Sequence, residues 1–190
     1  MRNTFIFAIL LLASFSSFAE EFQTVSLSDA LHPLYTKASK DNKLPLTFKV
    51  PSIYEKRNAQ EQQTILWGTK ADIDKVISTK SLKNSENGIF TLKISLNAGY
   101  DEKSKKFSGE DKLANVENLP GFTDVTYSRY DSHGIPMATL TALSGNQHLF
   151  LQYIAVGNAA LLINYYPAEM YSEKDSETWA QFINGLNETN

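Results

Sequence analysis

Cysteine is absent from the 190 residues, which excludes disulfides, thiolate metal ligands, a Cys nucleophile and a lipidated N-terminal Cys. Histidine is scarce, with only His32, His133 and His148. None of them shares a helix face with a second His or a carboxylate at ligand spacing, so no metal is expected. An excess of positive charge is also missing. The 18 Lys+Arg stand against 21 Asp+Glu, and a net −3 lacks the basic footprint of a nucleic-acid binder. No Gly-rich phosphate loop, EF-hand loop or nucleophile elbow occurs; Ser144, in Leu143-Ser144-Gly145-Asn146, has no flanking Gly on its N-terminal side. No cofactor and no catalytic residue is therefore assigned.

Long apolar runs are confined to the N-terminus. Arg2 supplies a positive start, Phe5–Ala13 is an uncharged apolar run, and Ser17-Phe18-Ala19 places small residues before Glu20. These are the three parts of a secretory signal peptide over 1–19, cleaved at Ala19-Glu20. The apolar run is shorter than the ~20 residues that span a bilayer. Cleavage leaves 171 residues and, with Arg2 gone, a net charge of −4. The processed chain is expected to be soluble, without a membrane span, and periplasmic or secreted. Exported without cysteine, it must draw its stability from a core, and at this size it can bury about 70% of its unfolded surface.

Periodicity organises the remainder. Residues 20–44 read as an N-terminal extension with a short helix, because Leu27, Leu31, Leu34, Tyr35 and Ala38 follow helical spacing around Pro33. Residues 45–190 read as a single α+β domain. Leu46, Phe48 and Val50 alternate with polar residues up to Pro51, which marks a strand. Thr64–Gly68 is a short apolar strand, and Ala71–Thr79 a short helix with Thr69 as its cap. Asn87-Gly88 is a turn before the strand Ile89–Leu96. Residues 97–121 read as a solvated polar loop, with four acidic and four basic residues around one Phe between Tyr100 and Lys112. Asp101, Glu102, Glu110 and Asp111 lie there among lysines that oppose a cation.

The final third is an antiparallel meander. Thr123–Tyr130, Pro136–Leu143, His148–Val156 and Ala159–Tyr166 are strands separated by short Gly-containing turns. The last two are apolar on both faces and belong at the centre of a sheet. Ser172 and Asp175 form a capping-box pattern, and Thr178, Trp179, Phe182, Ile183 and Leu186 then make one apolar stripe. The fold class is α+β, with an antiparallel sheet covered by a C-terminal helix and one or two further short helices.

Leu46-Thr47-Phe48-Lys49-Val50-Pro51 resembles the opening Phe-x-Val-Pro strand of PsbP/Mog1/DcrB-like domains. The polar loop, the Gly-turned meander and the closing aromatic helix are also similar, over residues 45–187. The resemblance implies a layered antiparallel sheet with helices on its faces. It also implies an accessory or binding role rather than catalysis, and it carries over no functional residues.

Asp131-Ser132-His133 has the composition of a triad, but neighbours in a tight turn do not converge on one reacting atom. Tyrosine is the better indicator. Its flat apolar body and polar tip suit binding surfaces. Tyr130, His133, Tyr166 and Tyr171, in the meander turns and beyond its last strand, are the candidate binding residues. The expected function is a non-enzymatic accessory or binding protein of the bacterial cell envelope or secretome, partnered by another exported protein or a small ligand. Two alternatives stand beside it: a small secreted hydrolase with an unrecognised site, and a secreted inhibitor or effector that meets a larger protein through the 97–121 loop.

Overall fold

The computed structural model describes residues 21–31, 44–59, 64–82, 85–109 and 121–188. The expected signal segment, His32, Pro33 to Ala38, and Glu110 to Pro120 of the polar loop lie outside these residues.

The described chain runs β1 (Phe22–Ser26), α1 (Leu27–Leu31), β2 (Thr47–Pro51), β3 (Glu55–Ala59), β4 (Thr64–Gly68), α2 (Lys70–Thr79) and β5 (Ile89–Ser95). A single 3₁₀ turn, Leu96–Ala98, precedes a small hairpin of β6 (Tyr100–Asp101) and β7 (Lys106–Phe107). The meander follows as β8 (Phe122–Ser132), β9 (Ile135–Ser144), β10 (Gln147–Val156) and β11 (Ala159–Tyr166), and α3 (Glu173–Asn187) closes the chain.

Seven strands form one sheet in the order β3-β4-β5-β11-β10-β9-β8, with every neighbour antiparallel. The two strands apolar on both faces, β10 and β11, sit centrally, as their composition demands. The fold is α+β, with helices on the sheet faces. Among the described residues no helix is long and apolar enough to cross a membrane.

One face of the sheet is covered by α3 together with α1 and the paired strands β1 and β2. Phe48, Trp67, Phe90, Ile154, Tyr165, Trp179, Phe182 and Leu186 meet there in one buried cluster. Phe182 is fully buried, with ring centroids 5.5 Å from Phe48, 5.1 Å from Phe90 and 5.2 Å from Trp179. The N-terminal stretch is integral to this cover, because Phe22–Ser26 pairs antiparallel with Thr47–Pro51. Gly185 makes the close approach possible. A Cβ there would lie 2.7 Å from the Lys49 backbone nitrogen and 2.9 Å from the Phe48 Cα. The terminal helix therefore rests directly on the backbone of β2. Thr47 Oγ1 donates to the Gly185 carbonyl across 138 positions of sequence, and Lys49 pairs with Glu188.

The other face is covered in two pieces. The first is α2, which buries Ile73 and Val76 against Leu66 and Ile89, with Tyr166 alongside. Thr69 caps this helix, accepting from the Asp72 backbone N–H at 3.2 Å. The Asp72 carboxylate, buried, then accepts from the Glu86 N–H at 2.6 Å and from the Asn87 N–H and side-chain amide at 3.2 and 3.1 Å. Burial alone would push this carboxyl up. The hydrogen bonds from Glu86, Thr69 and Asn87 outweigh it and hold the group below the usual carboxylate range.

The second piece corrects the reading of residues 97–121 as purely solvated, for the part of that stretch that is described. Tyr100–Asp101 and Lys106–Phe107 pair as a hairpin, and Phe107, only 3% exposed, anchors it against Tyr153, Leu140 and Ala138. The lone Phe among eight charges is the reason. Its ring packs with that of Tyr100, and burying it docks the two strands while Asp101, Glu102, Lys103 and Lys105 stay exposed.

Candidate functional site

The site is built by alternation. On the α3 face, β10 presents His148, Phe150, Gln152 and Ile154; β9 presents Met137, Thr139 and Thr141; β8 presents Thr126, Ser128 and Tyr130. The register sets Phe150 beside Thr141 and Thr126, and Gln152 beside Thr139 and Ser128. The chain enters helix α3 from Tyr171, 6.2 Å from Phe150, and brings Trp179 within 5.3 Å of the same ring; the helix ends at the β8–β9 turn, where the Ser132 hydroxyl donates to the Leu186 carbonyl at 3.0 Å. The opposite corner stays open. Thr126 and Ser128 are exposed, and Thr139, Thr141, His148 and Tyr130 are half-buried. A bulge between Thr123 and Thr126, with Asp124 at φ 51°, bends β8 at this corner.

Two clusters meet there. The first is aromatic. Tyr171, on the connector between β11 and α3, stacks on His148 with centroids 3.5 Å apart and planes 14° apart. Phe150 lies 6.1 Å from His148 and 6.2 Å from Tyr171. Tyr171 is 36% exposed, so its ring is both seated and accessible. Its hydroxyl hydrogen-bonds Ser176.

The connector is held by one buried carboxylate. Asp175 accepts from the Ser172 N–H and hydroxyl at 2.9 Å each, from the Ala168 N–H at 3.0 Å and from the Tyr165 hydroxyl at 2.8 Å. The capping pattern read from the sequence thus does two jobs. It starts α3, and it ties that start to the centre of the sheet.

The second cluster is polar and uncharged. Gln152 is fully buried. Its Nε2 donates to the Tyr153 carbonyl at 2.9 Å, which turns Oε1 toward two hydroxyls. Tyr130 donates to Oε1 at 3.1 Å and Thr139 at 2.5 Å. Since Phe150 and Gln152 are alternate residues of one strand, the clusters adjoin, roughly 7 Å apart. The corner can stack a flat group and hydrogen-bond an uncharged one.

Of the sequence candidates, Tyr130 and Tyr171 share this face. His133 does not: it sits at φ 56° in the β8–β9 turn, with Nε2 3.1 Å from the Glu188 carbonyl. Its neighbours perform turn chemistry. Asp131 accepts from the Gly134 N–H at 2.8 Å, and Ser132 is committed to Leu186. Tyr166 faces the other side of the sheet, under α2. In the polar hairpin, Asp101 accepts from the Lys103 N–H and the Ser104 hydroxyl at 3.0 and 2.7 Å. Among the described residues no group of three His, Asp or Glu is placed to hold a metal ion. Gln152, Thr139 and His148 were not singled out from the sequence. The period-2 pattern of β10 was the available signal, since it aligns His148, Phe150 and Gln152 on one face.

The tyrosines give a measurable pH response. Burial raises the phenols of Tyr130 and Tyr166, pushes Tyr153 up to about 12, and raises Tyr165 furthest, with Tyr54 and Asp175 adding to the effect. A phenol raised in the fold stabilises it fully below the unfolded value of about 10, and that contribution is lost as pH climbs past it. The urea midpoint is therefore expected to fall steadily above about pH 10. Tyr153→Phe should make that fall shallower; an unchanged slope would detach Tyr153 from it.

No family model matches the chain. Among solved structures, the chain is similar along nearly its whole length to the solution structure of cyanobacterial PsbP (CyanoP) from Synechocystis sp. PCC 6803. The two are 9% identical, with a TM-score of 0.49, and the match covers 92% of this chain and 96% of that one. The α+β assignment rests on the strand order given above.

Proposed function

We propose that this protein is an exported, non-enzymatic accessory or binding protein of the cell envelope or secretome, of PsbP/Mog1/DcrB-like kind. Its binding surface is the open corner of the α3 face. The observation that carries the reading is the Tyr171–His148 stack, 36% exposed at Tyr171, seated beside the uncharged Tyr130–Gln152–Thr139 cluster. Seated aromatic rings beside satisfied polar groups are the usual make-up of a recognition surface. The tripartite N-terminus supports export.

Expression of the full chain in a Gram-negative host tests the first half. A product in the periplasmic or culture fraction, starting at Glu20, is expected; a full-length cytoplasmic product overturns export. The processed chain, immobilised and exposed to envelope extract, tests the second half. Capture that Tyr171→Ala abolishes and Tyr166→Ala leaves intact is expected. Capture indifferent to Tyr171 removes the corner from the function.

A further inference from the structure

We propose that the open corner binds a neutral oligosaccharide. This inference rests on the reading of that corner as a binding surface and names its ligand class.

The first argument is charge. The hydroxyl and amide groups between the strands of the corner, Thr126, Ser128, Tyr130, Thr139, Thr141 and Gln152, carry no formal charge at neutral pH, with exposed Asp124 in the β8 bulge and His148 beneath Tyr171 at the edge. An anionic ligand requires guanidinium or ammonium donors and a cationic one requires carboxylates, because desolvating an unpaired charge is costly. An uncharged ligand with many hydroxyls meets no such penalty.

The second argument is hydrogen-bond polarity. Gln152 is locked by its own donation to the Tyr153 carbonyl, so its Oε1 takes the proton of both Tyr130 and Thr139. A hydroxyl that donates inward keeps lone pairs on its outer side. Tyr130 and Thr139 are therefore fixed as acceptors, suited to the O–H donors of a sugar. The freely rotating hydroxyls of exposed Thr126 and Ser128 complement them as donors or acceptors.

The third argument is shape. Tyr171 offers a flat apolar ring on which the C–H face of one pyranose packs, and the acceptors on Gln152 lie four residues, roughly 13 Å, along β10 from His148, where a neighbouring sugar unit meets them. The platform is already in place, because His148 backs the ring and Asp175 fixes the connector that carries it. Little ordering remains to oppose binding. From β10 to β8 the surface crosses two inter-strand spacings, roughly 10 Å, which is room for a di- or trisaccharide.

Titration of the processed protein with maltohexaose, cellohexaose and chitohexaose, followed by amide chemical shifts and calorimetry, tests this. Saturable binding of at least one is expected, with shifts centred on β8 to β10 at Ser128, Thr139 and Gln152 and on Tyr171. Affinity should stay within about twofold between about 50 and about 500 mM salt, since no charge is neutralised. Tyr171→Ala should weaken binding by at least about tenfold, while Tyr171→Phe, which keeps the platform, and Tyr166→Ala, on the other face, stay within about twofold. Absence of saturable binding by all three sugars at millimolar concentration overturns the proposal. So does binding that collapses with salt, or binding that ignores Tyr171→Ala. Should sugars fail while envelope capture remains sensitive to Tyr171, the ligand is of another class, a peptide strand included, and the binding reading survives alone.

Discussion

Phe182→Ala is expected to destabilise the fold by about 3–5 kcal/mol, the range for truncating a fully buried Phe. For a chain of this size that lowers the melting temperature by roughly 6–20 °C. The magnitude follows from position. Phe182 touches Phe48 from β2, Phe90 from β5 and Trp179 from its own helix, so its removal opens a void between three elements at once. Rigid sheet and helix backbones cannot close such a gap, and the cavity cost adds to the lost transfer energy. Thermal unfolding followed by near-ultraviolet circular dichroism measures it. A loss below about 1 kcal/mol would mean that α3 is not the lid of the main core.

Gly185→Ala carries the second largest effect, and its sign is the diagnostic. In an exposed helix interior the change gains about 1 kcal/mol of helix propensity. Here the added methyl meets backbone, at 2.7 Å from the Lys49 nitrogen and 2.9 Å from the Phe48 Cα, so no side chain can swing aside. Either α3 lifts or the β1–β2 pair shifts. Overpacking of this kind costs about 1–3 kcal/mol and exceeds the propensity gain where the obstacle is backbone. Net destabilisation by about 1–2 kcal/mol is expected, read as a lower urea midpoint at unchanged slope. A stabilised variant would show that the helix does not rest on β2.

Much of the architecture was legible because its signals are local. The Gly turns at 134, 145 and 157 all adopt positive φ and separate the meander strands where the pattern placed them. Thr69 caps α2, and Ser172 with Asp175 starts α3. What stayed hidden depends on pairing across distance. The partner of Phe22–Ser26 lies beyond a stretch that breaks the pattern, and no local feature announces that β1 joins β2. Phe107 reads as a solitary apolar residue until the sheet supplies its pocket. The binding corner was half legible. Tyr130 and Tyr171 were visible as tyrosines, whereas Gln152, a polar residue in an apolar strand, gains meaning only once Thr139 and Tyr130 arrive from neighbouring strands. Tyr166 and Tyr171 stand five positions apart, yet Tyr166 packs under α2 while the connector from Pro167 onward brings Tyr171 to Phe150 on the opposite side of the sheet.

The contact between the terminal helix and β2 also sets an order of events. Thr47 reaches Gly185 across 138 positions, and the lid residues Trp179, Phe182 and Leu186 follow the whole meander in sequence. A nascent chain that lacks them leaves one whole side of its sheet wet, however much of the meander has formed. Closure of so non-local a contact is slow, and through that open interval the apolar side of the sheet stays exposed to other chains and to chaperones.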